Sequence, residues 1–448
     1  MTEKSELKKG VLGVRECVMI SIGGMVGIAV FVLSSITVVL TGPVAVLAWV
    51  VAGLLMFIIA LNFTELATAF PRAGGVYVYP YETFKGKNAK IFFSFLTGWL
   101  YWFTFGVIAQ VVGAIYIAKL MSVFVPGIEA YSTHLAVLFL IFVWILNCVG
   151  VVPTGITNTV LTFSLLILIL CYVIVGLFHV NLAYYTPFVA GVMGLKGFLV
   201  AITIAWLGYT AWIAVTSVAE EVKEPQKTIP KALSIAFPIC ISFYFLILFV
   251  TFGSGHWTEF LESKNPFAYY SPLPYAATKF GVPWLIPIIS IAEILAVTTT
   301  MLVLLLDSSR VLLAMGRTEI LPKPLAYTHK RFKTPIISLT LLFIISVVMA
   351  AYPQLVYFFI QMGGGCFGII CIIISVSLIF LRRYRKDVVP SFRVPGGFII
   401  PVLAILIILV AMTQYESMVY YLTIGWILCG CVYYVVRYWT KTGIFRKP

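Results

Sequence analysis

The chain has 448 residues, is 62% hydrophobic and only 10% charged, and carries a formal net charge of +14 with a mean hydropathy of +1.07. Soluble domains are about 45–50% apolar, so the composition excludes one. No basic domain exists to give the positive charge a nucleic-acid role. The apolar residues fall in about twelve runs, each long enough to cross a bilayer at roughly 20 residues. In chain order these lie near Val14–Leu40, Val44–Phe70, Ile91–Val125, Leu135–Val152, Val160–Phe178 and Gly197–Val218, then Leu233–Phe252, Trp284–Leu306, Pro335–Tyr352, Leu355–Leu381, Gly396–Met412 and Met418–Val436.

The first run contains Gly23-Gly24-Met25-Val26-Gly27. Glycine costs a helix interior about 1 kcal/mol relative to alanine, and in lipid any freed backbone group must find a partner or line a cavity. The cluster therefore signals either very close helix packing or backbone opened to hold something. The second run ends with Glu65 within reach of Arg72, a structural or gating pair. The sixth run, Ala201 to Ala211, is interrupted by Gly208 between Trp206 and Tyr209. Two interrupted segments five spans apart suggest a five-plus-five inverted repeat with two added helices. The expected division is 1–13 as a cytoplasmic tail, 14–182 and 183–390 as the two repeats, and 391–448 as two further helices with a second tail.

Half-helix N-termini expose N–H groups and half-helix C-termini expose carbonyls, so two breaks suit a zwitterion without any charged side chain. The eighth run carries Glu293, a carboxylate inside the membrane and a functional hypothesis by default. It reads as a proton-coupling group, as a partner for a cationic substrate, or as a residue wetted near the helix end. Thr298, Thr299 and Thr300 follow it; they either offer hydroxyls to a sodium ion together with carbonyls of the first span, or bond their own helix. Asp307 and Arg310 are three apart, a natural helix pair; with Glu220, Glu221 and Lys223 they form either an inner gate of ion pairs or a set of solvated charges. Gly363-Gly364-Gly365 in the tenth run allows a kink or close packing.

Lys and Arg set the orientation. With the N-terminus in the cytoplasm, all of them fall in the two tails or in the loops after runs two, six, eight and ten, save Lys119, Lys196, Lys264 and Lys279. A multi-pass protein of the cell membrane with both termini inside follows, and no cleavable signal peptide is expected before the long first span. The eight cysteines sit in or beside apolar runs without metal or disulfide spacing, and read as small core hydrophobes. His134, His179, His256 and His329 lie near span ends, and no paired-carboxylate or H-x-x-x-H motif accompanies them, which argues against an enzyme. Spans this apolar lack the continuous polar lining of a channel.

Four segments carry a resemblance. Glu65-Leu66 with Pro71-Arg72-Ala73-Gly74-Gly75-Val76-Tyr77-Val78-Tyr79 is the first. The second is Ala219-Glu220-Glu221-Val222-Lys223-Glu224-Pro225 with Ile229-Pro230-Lys231-Ala232. The third is Ser309-Arg310 with Ala314-Met315-Gly316-Arg317 and Pro322, and the fourth is Pro390-Ser391-Phe392-Arg393-Val394-Pro395-Gly396. In this order they resemble the amino acid–polyamine–organocation superfamily of secondary transporters. The resemblance implies an all-α integral membrane protein of about twelve helices, a leucine-transporter-like inverted repeat plus two C-terminal helices, moving amino acids or related amines by alternating access with H⁺ or Na⁺ or by exchange. A non-transporting nutrient sensor or a polyamine carrier on the same fold stays open. It also implies a binding site at Gly24, Met25, Val26, Gly27, Ile28 and Ala29 facing Ile204, Ala205, Trp206, Leu207, Gly208 and Tyr209. The substrate carboxylate would meet N–H groups of Gly27, Ile28 and Ala29, and the ammonium the carbonyls of Met25, Ile204 and Leu207. Trp206 would close over it; Tyr209 would line the pocket; helix packing is the alternative for both rings. Where the superfamily commonly has G-S-G-[IV]-F, this chain has Gly27-Ile28-Ala29-Val30-Phe31, which keeps a modified amino acid or an amine open as substrate. Many members carry a lysine in span five in place of sodium; here Ser164 stands near that position. Beyond the coupling ion no cofactor is implied; the partners are the bilayer and a small solute.

Overall fold

The computed structural model describes residues 7–442 apart from 122, 123, 126, 353 and 355, so the expectations for Lys4, Arg446 and Lys447 and for the first part of the N-terminal tail lie outside the described residues. The chain is all-helical, with one isolated parallel β-bridge, Leu12 to Val222, among the described residues. Span one is a bent pair, Val14–Met25 and Ile28–Thr41, at 41° to each other. Spans two to eight are Ala45–Ala69, Lys87–Leu120, Ser132–Val149, Val151–Leu177, Gly194–Ser217, Pro225–Phe252 and Leu285–Arg317. Ile336–Ala350, Val356–Tyr384, Ile399–Met412 and Ser417–Thr442 take the last four places. The ninth and eleventh are short: 14 residues of Ile399–Met412 rise about 21 Å against a hydrocarbon core of about 30 Å.

Two spans are longer than their apolar runs. Span five starts at Val151, not near residue 160, because its polar residues Thr154, Asn158 and Thr162 fall four apart and turn one stripe into the protein, where all are buried. Span eight runs on to Arg317, and Asp307, Ser308, Ser309 and Arg310 are completely buried within it. The tenth helix runs straight through Gly363, Gly364 and Gly365; a methyl on Gly364 would lie 2.9 Å from the Tyr415 hydroxyl, so these glycines serve close packing rather than a break.

Span two packs on span seven, and the C-terminal half of span one packs on span six. Span three packs on spans four and eight, and span nine on span four. The N-terminal half of span one lies among spans five, seven and eight. Without a hydrophobic drive between helices in lipid, close approach and polar links hold such a bundle together. Gly23 and Gly24 supply the approach: a methyl on Gly24 would sit 3.0 Å from the Ala211 side chain, and one on Gly23 would strike the Thr162 hydroxyl. Of the cysteines read as core hydrophobes, Cys17, Cys148, Cys240, Cys366 and Cys371 are buried and Cys171 and Cys431 half-buried, whereas Cys429 is exposed.

Candidate functional site

The first span breaks at Val26 and Gly27, not at Gly23 and Gly24, which stay helical. Helix Ile28–Thr41 restarts with extended Gly27 as its cap, so the N–H groups of Ile28 and Ala29 have no partner within that helix. Gly27 differs from the expectation: its N–H turns back to Met25 O at 2.8 Å. The freed carbonyls are held by hydroxyls. Thr299 Oγ1 lies 2.9 Å from Gly23 O and 2.9 Å from Ala296 O of its own helix, Thr300 Oγ1 lies 3.0 Å from Gly24 O and 3.0 Å from Ala296 O, and the Tyr244 hydroxyl lies 2.5 Å from Met25 O. Tyr244 also reaches Gly208 O at 2.9 Å, so one hydroxyl of span seven ties span one to span six. Ile28 and Thr300 keep partial exposure, whereas Val26, Gly27 and Ala29 are buried.

Span six is not opened. Trp206–Trp212 tightens into a 3-10 helix, with Ala205 and Trp206 at helical φ and ψ. Gly208 is needed there for closeness rather than for an opening, since a methyl would meet the ring of Trp49 at 2.8 Å. Tyr209 does not line a pocket. Its hydroxyl donates to Trp49 O at 3.1 Å, and its ring stacks on Phe237 and meets Tyr244 edge-on, because the tighter helix turns it toward spans two and seven. Trp206 packs edge-on to Phe367 and beside Tyr415, and borders an apolar groove of about 300 Å³ with Leu55, Leu406 and Gln414. The acceptors expected for an ammonium already hold internal donors: Leu207 O takes the Thr210 hydroxyl, and Ile204 O takes the Trp206 N–H.

Of the expected ion-coupling residues, Thr299 bridges to span one, while Thr298 bonds Ile294 O of its own helix. Ser164 does not face the break. Nor do Asn158 and Thr162, which face the unbroken first half of span one and reach Met19 O at 3.0 and 3.4 Å; Ser164 lies two residues past Thr162, about 200° around the helix. Asn158 Oδ1 is buried there without a hydrogen bond. Glu293 is completely buried, not wetted at the helix end. The Tyr116 hydroxyl of span three donates to Oε2 at 3.3 Å, and Oε1 has no hydrogen-bond partner among the described residues.

The gate residues re-pair. Glu65 does not meet Arg72; completely buried, it takes Arg382 Nε at 2.8 Å, the Nη2 of the same guanidinium, and the Val394 N–H at 2.6 Å. Arg72 instead pairs with Glu82 at 2.7 Å on the surface. Arg310 does not pair with Asp307: its Nε and Nη2 each lie 2.9 Å from a separate Glu221 oxygen, with both side chains fully buried. Asp307 accepts from the Tyr101 hydroxyl. Glu220 meets Arg317 at 2.8 Å; burial pushes its carboxyl up, but the hydrogen bond and charge of Arg317 outweigh this and hold it below its usual range. Lys223 is exposed, and only its backbone takes part, its N–H donating to Leu12 O at 2.8 Å while Val11 and Leu12 donate to Glu221 O. Tyr244, Tyr101 and Arg382 carried no signal in the sequence beyond being polar atoms in apolar or loop segments.

A helix interrupted at mid-span, held between two helix groups and shut at one face by buried ion pairs, is the build of a secondary transporter in a multi-pass membrane protein. The amino acid permease profile matches residues 12–437, and the chain belongs to that family. It is 26% identical to the branched-chain amino acid permease BcaP of Bacillus subtilis (strain 168), over 94% of this chain and 92% of that one. It is 27% identical to the methylthioribose transporter of the same organism over 99% and 96%, and 25% identical to its serine/threonine exchanger SteT over 90% and 90%. The family and these relatives are transporters.

Proposed function

We propose that the chain carries an amino acid or related amine across the cell membrane by alternating access, and that the solute binds at the Val26–Gly27 break. Spans one, two, six and seven move against spans three, four, eight and nine, within the repeats 14–182 and 183–390. The single observation behind this reading is the break, where the Ile28 and Ala29 N–H groups face away from any helical partner while Thr299, Thr300 and Tyr244 hold the opposite carbonyls. A carboxylate binds the N–H groups, aided by the helix dipole. An ammonium displaces the Tyr244 hydroxyl from Met25 O, which loosens the tie between spans one and six. Coupling draws on oxygens around Gly23 O, Thr299 and Thr300 for Na⁺, or on Glu293 for H⁺; both termini lie in the cytoplasm.

The methylthioribose transporter favours a second reading, since that solute has neither ammonium nor carboxylate, and this chain lacks the serine hydroxyl expected after Gly27. A thermal-shift screen of purified protein with branched-chain amino acids, serine, threonine, amines and methylthioribose separates the two, with and without sodium and at two pH values. A ligand at a hundred times its Kd stabilises by about 2.7 kcal/mol. Gly27→Leu, whose side chain collides with the Thr300 hydroxyl, is expected to abolish the shift in a folded protein. An unchanged shift removes the site from span one, and binding without uptake into liposomes makes the protein a sensor.

A further inference from the structure

The fully buried cluster at the inner gate has two carboxylates, Glu221 and Asp307, and one cation, Arg310. Arg310 and Glu221 neutralise each other through two hydrogen bonds, both side chains fully buried. Asp307 lies one helical turn before Arg310, on the same side of span eight, and is equally buried. The Tyr101 hydroxyl donates to its Oδ2; among the described residues Oδ1 has no donor at strict hydrogen-bond geometry, and the Ser217 hydroxyl of span six lies beside the carboxyl. The titratable and charged groups around it are Tyr101 of span three, with Cys371 of span ten beside that ring, Tyr79 of the short helix Gly75–Thr83, Arg310, and Glu221 across Arg310. Arg310 is the one cation among these. Its Nε and Nη2 belong to Glu221, and its Nη1 donates to Leu306 O and Ser309 Oγ. An ionised Asp307 would thus be a buried charge without a counter-charge, a state that proteins avoid by neutralisation.

We propose that Asp307 is a proton-binding site of the inner gate, protonated while Glu221 pairs with Arg310 and ionised when the gate opens. This rests on the alternating-access reading. Glu221 stands at the inner end of span six, whereas Asp307 and Arg310 share span eight. When span six withdraws, the Glu221–Arg310 hydrogen bonds break and water enters. The Asp307 O–H bond then breaks, its proton passes to that water, and its carboxylate accepts from Arg310. Each state keeps one guanidinium beside one carboxylate, and each opening releases one proton. Opening is then favoured as pH rises, by up to about tenfold per pH unit wherever the closed form binds that proton and the open form does not.

Hydrogen exchange of the full chain in lipid nanodiscs tests this with no solute present, so a failure leaves the transport reading standing. The amides of Val11, Leu12 and Lys223 sit beside the gate, bonded to Glu221 O and Leu12 O within the moving spans, and report closure through the shielding from water that they have while Glu221 is seated on Arg310. Once the intrinsic pH dependence of exchange is divided out, their protection is expected to fall by up to tenfold per pH unit in the native chain. In Asp307→Asn it is expected to stay level. Glu221→Gln gives an independent arm: Arg310 is then paired with Asp307 in both states, and the pH dependence is again lost. A level native profile, or a native-like slope in either folded variant, overturns the proposal.

Discussion

Charged residues are so scarce in this chain that each buried carboxylate stands out in the sequence, yet its partner does not. Glu65 was nearest in sequence to Arg72, and the structure gives it Arg382 from the far end of span ten. The reason is geometric: Arg72 follows a turn after Ala69 and points to the surface, whereas Arg382 ends a helix that packs along span two. The two arginines therefore differ sharply in expected cost. Arg382→Met leaves Glu65 charged and buried with only the Val394 N–H, and removal of one partner from a buried pair costs about 3–5 kcal/mol. Arg72→Met breaks an exposed pair worth about 1 kcal/mol or less. Thermal unfolding of the purified variants should show a large drop for the first and little change for the second; equal effects would mean that Glu65 is not held as described.

At the scale of the element, the glycine cluster correctly marked span one as irregular, but Gly208 misled for span six. Glycine has two separate uses, freedom of the backbone and absence of a side chain, and the sequence does not distinguish them. Gly27 caps a new half-helix; Gly208 makes room for the Trp49 ring while the chain stays helical. Beside the 3-10 segment Trp206–Trp212, the Tyr244 hydroxyl lies within hydrogen-bond reach of both Met25 O and Gly208 O. Tyr244 looked like one more ring in an apolar run, because nothing local records contacts 219 and 36 positions away. Tyr244→Phe keeps the ring and removes only that tie. Met25 O keeps the Gly27 N–H, so the loss is that of one buried hydrogen bond, about 0.5–1.5 kcal/mol, and the unliganded variant should melt lower. If an ammonium replaces this hydroxyl on binding, the same variant has less to displace, and a stabilising ligand should produce a shift at least as large as in the native chain. A variant as stable as the native protein would show that the hydroxyl does not hold the break.

For the whole molecule, the order of the apolar helices was legible because every helix that meets lipid must be apolar over most of its length; their number was less so, since among the described residues nine helices and one bent pair are long enough to cross, while Ile336–Ala350 and Ile399–Met412 are short. The ends were also less legible. Spans five and eight conceal polar residues on buried stripes, which lowers their hydropathy without ending the helix. Orientation is a separate inference that rests on charge alone. On the proposed reading of twelve spans both termini share one side, and the positive-inside bias points to the cytoplasm as that side. Lys223 and Lys264 test it well: both are exposed, one in the loop after span six and the other in the short-helix connection between spans seven and eight. Those two connections leave opposite ends of span seven, so they must lie on opposite sides of the bilayer. With a membrane-impermeant maleimide, Lys264→Cys should label in intact cells above the background of the parent chain, and Lys223→Cys only after permeabilisation. The reverse pattern would place the Arg310–Glu221 gate at the outer face, and the proton released as it opens would then enter the medium instead of the cell.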